Sequence, residues 1–181
     1  MAAGGRTFAD EQRRVALSMA AAVVVTILTF VVALSLDRNA AALPFAGRLQ
    51  TVLRADVFVV AWLAAAIGNV ARLRFFSPDD IAGSGAGEGT QRVRRAVAIL
   101  QNTAEQTILA VFAHVSLAAT LTHITALSVA LAGLFVIGRL AFWAGYARGA
   151  AGRAFGFALT FYSSVGAMLI AIVSITTGWP G

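Results

Sequence analysis

Five long runs of apolar residues, separated by short polar or arginine-bearing segments, dominate the chain. They cover residues 15–36, 56–76, about 96–120, about 124–146 and 154–177. A helix needs about 20 such residues to cross the hydrocarbon core of a bilayer. None of the runs alternates apolar and polar residues as a membrane β-strand would. The pattern therefore predicts an all-α integral membrane protein with five spanning helices.

The first run shares features with a secretion signal, because basic residues precede it and small residues follow it. The apolar part of a signal peptide is usually about 7–15 residues long. Residues 15–36 exceed that length, which favours a retained transmembrane helix.

The connections between the runs differ in length and polarity. Residues 121–124 form a very short link, so the third and fourth helices are expected to be an antiparallel hairpin. Residues 77–90 are the only long polar stretch and include GSGAGEG at 83–89. This run follows no strand and lacks the lysine of a phosphate-binding loop, which favours a flexible linker.

Composition agrees with a membrane protein and excludes several chemistries. Hydrophobic residues make up 59% of the chain and charged residues 12%, against about 45–50% and about 25% in soluble domains. The chain has no cysteine, which excludes disulfides, thiolate metal sites and cysteine nucleophiles. The net charge is +6 and every basic residue is arginine. These arginines flank the apolar runs, so they are interpreted as topology and site residues and not as a nucleic-acid surface.

The distribution of arginines predicts the orientation in the membrane. If residues 71–95 are cytoplasmic, ten arginines lie on that side and three on the other, leaving out Arg139. The cytoplasmic set is Arg6, Arg13, Arg14, Arg72, Arg74, Arg92, Arg94, Arg95, Arg148 and Arg153, and the opposite set is Arg38, Arg48 and Arg54. Because short cytoplasmic loops are rich in arginine, we expect a cytoplasmic N-terminus and a C-terminus on the other side.

Two charged residues stand out inside the apolar runs, away from their ends: Glu105 and Arg139. At 1.5 Å per residue they lie roughly 14 Å and 12 Å from the cytoplasmic ends of their helices. Charges inside a membrane need a partner or a function, so a Glu105–Arg139 pair is expected. Two interpretations remain open. The pair is either a purely structural salt bridge or a salt bridge that also lines a polar cavity.

Polar and aromatic residues recur at helical spacing near the cytoplasmic ends of the third and fourth runs. They are Arg95, Asn102 and Glu105 on the third run, Arg139, Phe142 and Tyr146 on the fourth, and Arg153 just past the next turn. Residues three, four or seven apart share a helix face, so two polar stripes are expected to face each other. An arginine-rich pocket half inside the lipid suits a hydrophilic anion that meets a lipophilic molecule.

Small and isolated polar residues have simpler interpretations. Glycines at positions 145, 149, 152 and 156 predict close approach of neighbouring helices. His114 and His123 have no metal-binding spacing, and His114 is expected to form a hydrogen bond to a neighbouring helix. Asp79 and Asp80 follow Ser77-Pro78 and are expected to cap a turn.

Three stretches resemble one family, the MAPEG proteins, which are membrane-associated proteins of eicosanoid and glutathione metabolism. RLAFWAGYAR at 139–148, followed by Arg153, resembles the family's signature across its third and fourth helices. NTAE at 102–105, with Arg95 before it, resembles the second-helix motif, and ARLRFFSP at 71–78 is similar to the basic end of the first helix. The resemblance covers roughly residues 52–177.

The resemblance implies a fold and an assembly. A four-helix MAPEG-like bundle is expected at 52–181, preceded by a cytoplasmic tail at 1–14, an extra transmembrane helix at 15–36 and a connecting segment at 37–51. It further implies a homotrimer, multi-pass in a bacterial inner membrane, with glutathione bound between protomers on the cytoplasmic side.

The resemblance also implies roles for individual residues. Asn102 and Glu105 match positions that contact the polar backbone of glutathione, and Arg139 and Tyr146 match the facing wall. Arg72 matches a basic residue from the neighbouring protomer. Arg153 matches the arginine that holds the thiolate, and Tyr146 would assist as a hydroxyl donor.

The chain departs from the family pattern at three positions, Ala98, Gln106 and Phe142. The family often has an arginine where Ala98 stands, and Arg94 or Arg95 is the expected replacement.

The expected activity is therefore that of a glutathione-dependent transferase or peroxidase acting on lipophilic electrophiles or hydroperoxides. Glutathione is the co-substrate and no metal is expected. The alternative is a non-enzymatic binding or scaffold protein that keeps the fold. A small transporter is a third hypothesis. Transporters usually show broken helices or internal repeats, and the sequence shows neither.

Overall fold

The chain folds into five α-helices in the computed structural model, which describes residues 7–83, 87 and 89–179. They are α1 (Phe8–Asp37), α2 (Phe45–Phe75), α3 (Gln91–Thr120), α4 (Thr125–Gly145) and α5 (Gly149–Thr177), with a 3₁₀ turn at Tyr146–Arg148. No strand occurs in this part of the chain. Three stretches are long and apolar enough to cross a membrane: Phe8–Asp37, Phe45–Phe75 and Thr125–Thr177, which holds α4 and α5. The prediction of an all-α integral membrane protein is confirmed.

Several helices begin earlier than the apolar runs. The Thr7 side chain accepts from the backbone of Asp10, whose carboxylate accepts from Thr7 in return, and this capping box starts α1 at Phe8. Thr90 caps α3 in a similar way. Helix α2 starts directly after Pro44, inside the segment 37–51 that is expected to connect the extra helix to the four-helix bundle. Apolarity marks the span inside lipid, whereas caps and proline mark where the helix begins.

The helices pack around α4 and α5. Helix α1 packs against α5 and α4, α2 against α3 and α4, and α3 against α2 and α5. The short link after α3 is confirmed, yet α4 packs mainly against α5 and only slightly against α3. Most of the GSGAGEG stretch, residues 84–86 and 88, lies outside the described residues, so the linker interpretation stays a prediction.

Glycines allow α4 and α5 to touch through their backbones. A Cβ atom on Gly145 would collide with the carbonyl of Gly152, and one on Gly156 would collide with the backbone of Phe142. The prediction of close approach is confirmed at positions 145, 152 and 156. Gly149 has a different role, since its φ of +83° places it in a turn conformation that glycine adopts without strain.

Two acidic side chains fasten α1 to the starts of other helices. Glu11 Oε1 accepts from the Ala151 backbone N–H at 3.0 Å, near the start of α5. Asp37 accepts from the backbone N–H groups of Ala126 and Leu127 at 2.8 and 2.9 Å, in the first turn of α4. Helix N-termini leave such donors unsatisfied and favour negative charge. The extra helix is therefore docked at both of its ends.

Asp80 closes the polar segment between α2 and α3. Its carboxylate accepts from Ser77 Oγ at 2.6 Å and from the backbone and side chain of Thr90 at 2.7 and 2.8 Å. The Ser77 hydroxyl, followed by the Thr90 backbone, holds the pKa of Asp80 below its ordinary value. The expectation that an aspartate caps a turn here is confirmed for Asp80.

Candidate functional site

A cavity of about 440 Å³ lies between α1, α3, α4 and α5, near the start of α5. We call it the Arg153 pocket. Its lining residues are Val15, Met19, Ala98, Asn102, Phe142, Tyr146, Ala150, Arg153, Ala154 and Phe157. The volume is in the range of small-molecule sites. Among the predicted site residues, the structure brings Asn102, Tyr146 and Arg153 together here.

Arg153 and Tyr146 form one face of this pocket. The Arg153 guanidinium lies over the Tyr146 ring, 4.8 Å from its centroid, and both side chains are half-buried. Helix α5 starts at Gly149, so Arg153 lies one turn inside the helix and not at its first residue. The Ala151 N–H group at that end is already bonded to Glu11, which limits the positive partial charge that the start of α5 offers to a ligand.

Arg139 lies behind the pocket and not in its wall. Its side chain is 1% exposed, and Nη1 donates to Asn102 Oδ1 at 2.9 Å while Nη2 donates to Thr160 Oγ1 at 2.8 Å. The guanidinium also faces the Phe142 ring at 4.5 Å. Because Arg139 occupies the amide oxygen of Asn102, the NH₂ group of Asn102 remains the available donor for a ligand. Arg139 thus positions a pocket residue.

The prediction that Glu105 pairs with Arg139 is wrong for contacts within one chain. Glu105 is exposed and accepts from Gln101 at 3.2 Å. Asn102 on α3 is the residue that meets Arg139. Glu105 is three residues further along α3, which displaces it by about 4.5 Å and turns it by about 60° from Asn102, and it lies more than 4.0 Å from the guanidinium.

No acidic side chain pairs directly with the arginines of the pocket within the described residues, and the nearby Glu11 carboxylate is bonded to the Ala151 backbone. Within the described residues, no carboxylate lies within 4.0 Å of Arg139 or Arg153. No aspartate or glutamate lines the pocket. A buried cation without an anionic partner is unfavourable, so an anion bound beside Asn102 and Arg153 would be stabilised.

The other predicted basic residues lie in a separate cleft between α2 and α3. This α2–α3 cleft has a volume of about 300 Å³ and is lined by Asn69, Arg72, Leu73, Arg92, Arg95, Ala96, Ile99 and Trp143. Arg72 donates to Asn69 Oδ1 at 3.1 Å, and Arg94 donates to the Gly89 carbonyl at 2.6 Å. Neither Arg94 nor Arg95 reaches the place beside Ala98, so the expected replacement of the family arginine is wrong within one chain.

The structure also shows a buried histidine–aspartate contact whose acidic partner the sequence analysis did not identify. His114 Nδ1 lies 2.6 Å from Asp56 Oδ1, with both side chains almost fully buried between α3 and α2. The expected hydrogen bond from His114 to a neighbouring helix is confirmed. Its partner is 58 residues earlier in the chain, and no local spacing signals such a contact. The pair does not line the Arg153 pocket.

The sequence analysis did not select Thr160, which holds Arg139, or Val15 and Met19, which line the pocket from α1. The reasons differ. Thr160 follows Gly156 at a four-residue spacing typical of close helix contacts, which was a usable signal. Val15 and Met19 are two apolar residues in a wholly apolar run, so nothing in the sequence distinguishes them from lipid-facing neighbours.

These features define a helical integral membrane protein with a half-apolar pocket that carries an arginine, a tyrosine and an amide donor. The MAPEG family model matches residues 49–173, well over half of the chain, and the protein belongs to the MAPEG family. That family includes glutathione transferases and peroxidases. Comparison with curated proteins and with solved structures gave no match. Helix α1 lies wholly outside the matched range.

Proposed function

We propose that the protein is a glutathione-dependent transferase or peroxidase that acts on lipophilic electrophiles or hydroperoxides. The observation that carries this proposal is the meeting of Arg153, Tyr146 and Asn102 in one pocket without acidic residues. Family membership supplies the chemical class, and the pocket supplies groups that fit an anionic peptide thiol.

Arg153 is proposed to stabilise the thiolate of glutathione. A thiol reacts as its thiolate, and a nearby fixed cation lowers the thiol pKa. Arginine stays charged at any working pH, and stacking on Tyr146 holds its guanidinium in place. In transfer to an aryl halide, the thiolate sulfur bonds to the ring carbon and the halide leaves with the bonding electrons. The thiol proton passes to solvent, and the Tyr146 hydroxyl is a second donor for the sulfur.

Asn102, Glu105 and Arg139 are proposed to serve the hydrophilic part of glutathione in different ways. Asn102 offers its NH₂ group to a carboxylate or peptide carbonyl. Arg139 acts through Asn102 and adds positive charge behind it. Glu105 is exposed in the single chain and does not line the pocket, so it is proposed to accept from the ammonium group of glutathione where a second copy closes the site.

Binding and turnover test the proposal separately. Glutathione should raise the thermal stability of the purified protein, because a ligand of the folded state stabilises it by mass action. A reactive aryl halide with glutathione should then give the thioether product. The absence of glutathione stabilisation at millimolar concentration, together with no turnover, would contradict the proposal.

A non-enzymatic binding or scaffold role is the second candidate. It is favoured by Ala98, which lines the pocket where the family often has an arginine, and by the placement of Arg94 and Arg95 elsewhere. In that case glutathione or a related anion would stabilise the protein, but the protein would not raise the rate of thioether formation with a reactive aryl halide above the uncatalysed rate.

We further propose that the protein forms a homotrimer in which Arg72 of one copy approaches the pocket of the next. Glu105 lies halfway along α3 and is exposed in the single chain. A carboxylate facing lipid at that depth is unfavourable, so a second copy is expected to cover it. Arg72, exposed in its own chain, is a candidate partner.

Native mass spectrometry should therefore show three copies. The chain has no cysteine, so an Arg72→Cys/Glu105→Cys variant should form linked oligomers with a bifunctional thiol reagent long enough to replace the two side chains, since a direct disulfide requires closer Cα atoms. An Arg72→Cys/Leu17→Cys variant is the matched control and should stay uncrosslinked, because Leu17 is exposed on α1 and is not proposed to face Arg72. A monomer that binds glutathione fully would contradict the intersubunit arrangement.

The orientation proposed from the arginine distribution places the N-terminus and the α2–α3 loop in the cytoplasm of a bacterial cell, with the inner membrane as the site. Reporter fusions after residue 87 and after residue 181 should report opposite sides. Activity of both reporters on the same side would show that the number of crossings differs from five.

A further inference from the structure

Part of the Arg153 pocket is built by a helix that the family match does not include. Val15 and Met19 belong to α1, whereas the match begins at residue 49. Helices α1 and α3 each pack against α5, and the pocket lies between them. The wall opposite Ala98 and Asn102 is therefore specific to this chain's added helix.

The position of α1 is fixed by contacts along its whole length. Glu11 bonds to the start of α5 and Asp37 to the start of α4. In the middle, Phe30 sits against Gly166, where a Cβ atom would lie 2.9 Å from its ring. A helix that served only as a membrane anchor would not need these contacts. Val15 and Met19 are thus held as a permanent wall.

The α1 wall extends deeper into the membrane than Arg153. Glu11 meets Ala151 and Phe30 meets Gly166, so α1 and α5 run in parallel. With that register, Met19 lies level with residues 155–159, roughly 3–9 Å beyond Arg153 along α5. Phe157 lines the pocket at the same level. Arg153 and Tyr146 therefore mark the shallow end of the pocket, and Met19 and Phe157 mark the deep, apolar end.

We propose that Val15 and Met19 bind the lipophilic group of the electrophile that glutathione attacks. They would thereby set the size of the lipophilic group that the pocket accepts. The inference rests on the proposed function, because the thiolate at Arg153 defines where the lipophilic group begins. A chain attached to the sulfur runs past Arg153 toward the membrane interior, between Met19 and Phe157. Burial against these side chains removes apolar surface from water, which favours longer chains until the α1 wall is reached.

S-methyl-glutathione and S-hexyl-glutathione are the probes, since they share the polar part and differ only in the apolar group. Met19→Trp should weaken binding of the hexyl conjugate about tenfold, which equals roughly two methylene groups losing their burial. Binding of the methyl conjugate should change less than twofold. Met19→Ala leaves a smaller side chain at this position. The variant should therefore bind branched S-alkyl conjugates of glutathione more tightly than the wild-type protein does.

Leu17→Trp is the matched control, because Leu17 lies on the same helix, two residues away, is 61% exposed and does not line the pocket. It should leave both affinities unchanged. If both conjugates bind the wild-type protein and Met19→Trp has the same affinities as Leu17→Trp, the proposed role of the α1 wall is wrong and the proposed function stands. If neither conjugate binds the wild-type protein, the proposed function is wrong and this inference falls with it.

Discussion

Arg153→Ala should lower glutathione-conjugating turnover on the order of 100-fold at neutral pH, the loss typical of removing one transition-state donor. Glutathione should still bind, because the hydrophilic contacts proposed for Asn102 and for Arg139 behind it do not involve the sulfur. The measurement is kcat and KM with a reactive aryl halide, combined with glutathione affinity by thermal stabilisation.

The pH dependence distinguishes thiolate stabilisation from a structural effect. With Arg153 present the bound thiol has a lowered pKa, so the wild-type rate should already be near its plateau at neutral pH. Without Arg153 the thiol pKa returns toward its ordinary value of about 8.5. The variant's rate should then rise with pH through that value and recover part of the loss. A loss explained wholly by weaker glutathione binding would contradict the assigned role.

Arg148→Ala is the matched control for this prediction. Arg148 lies five residues before Arg153 in the 3₁₀ turn, is exposed, and does not line the pocket. Removing it changes the net charge by the same amount, so long-range electrostatics are matched. Its turnover and pH profile should remain those of the wild-type protein.

Gly156→Ala should destabilise the protein by about 1–3 kcal/mol, the usual range for overpacking a tight contact. The added Cβ atom would lie 2.7 Å from Phe142 Cα, and a backbone atom cannot move aside without separating α4 from α5. Because Phe142 lines the Arg153 pocket and contacts Arg139, glutathione affinity should fall as well. Thermal unfolding in detergent measures the first effect and ligand titration measures the second.

Gly133→Ala is the corresponding control on α4, since no atom lies within 4 Å of its added Cβ. It should leave the unfolding temperature unchanged or raise it slightly, because alanine favours a helix more than glycine does. Equal unfolding temperatures for the two variants would show that backbone contact between α4 and α5 is not a source of stability.

The sequence predicted the helices well because the spanning runs are long, and their apolarity is the strongest signal a chain can carry. It also predicted the glycine contact between α4 and α5, since regular spacing of small residues is visible in the letters. It failed at helix starts such as Phe45 and Gln91, where capping residues and proline decide the boundary and apolarity is uninformative.

The candidate site likewise contains residues that the sequence predicted and residues that it did not. Asn102, Tyr146 and Arg153 were selected by helical spacing, which places residues on a face, and the structure gathers them. Spacing does not set the rotation of one helix relative to another, so Glu105 was paired with Arg139 when Asn102 is the residue in contact. The α1 wall was out of reach, because Val15 and Met19 look like any lipid-facing residues until the docking of α1 is known.

The ultraviolet absorbance of bound glutathione tests the central claim most directly, since a thiolate absorbs where a thiol does not and no electrophile is required. Glutathione added to the wild-type protein at neutral pH should produce thiolate absorbance that saturates with one glutathione per proposed site. Under the same conditions Arg153→Ala should bind glutathione with little or no thiolate signal, and Arg148→Ala should match the wild-type protein. Equal thiolate signals from the wild-type protein and Arg153→Ala at saturating glutathione would contradict the account.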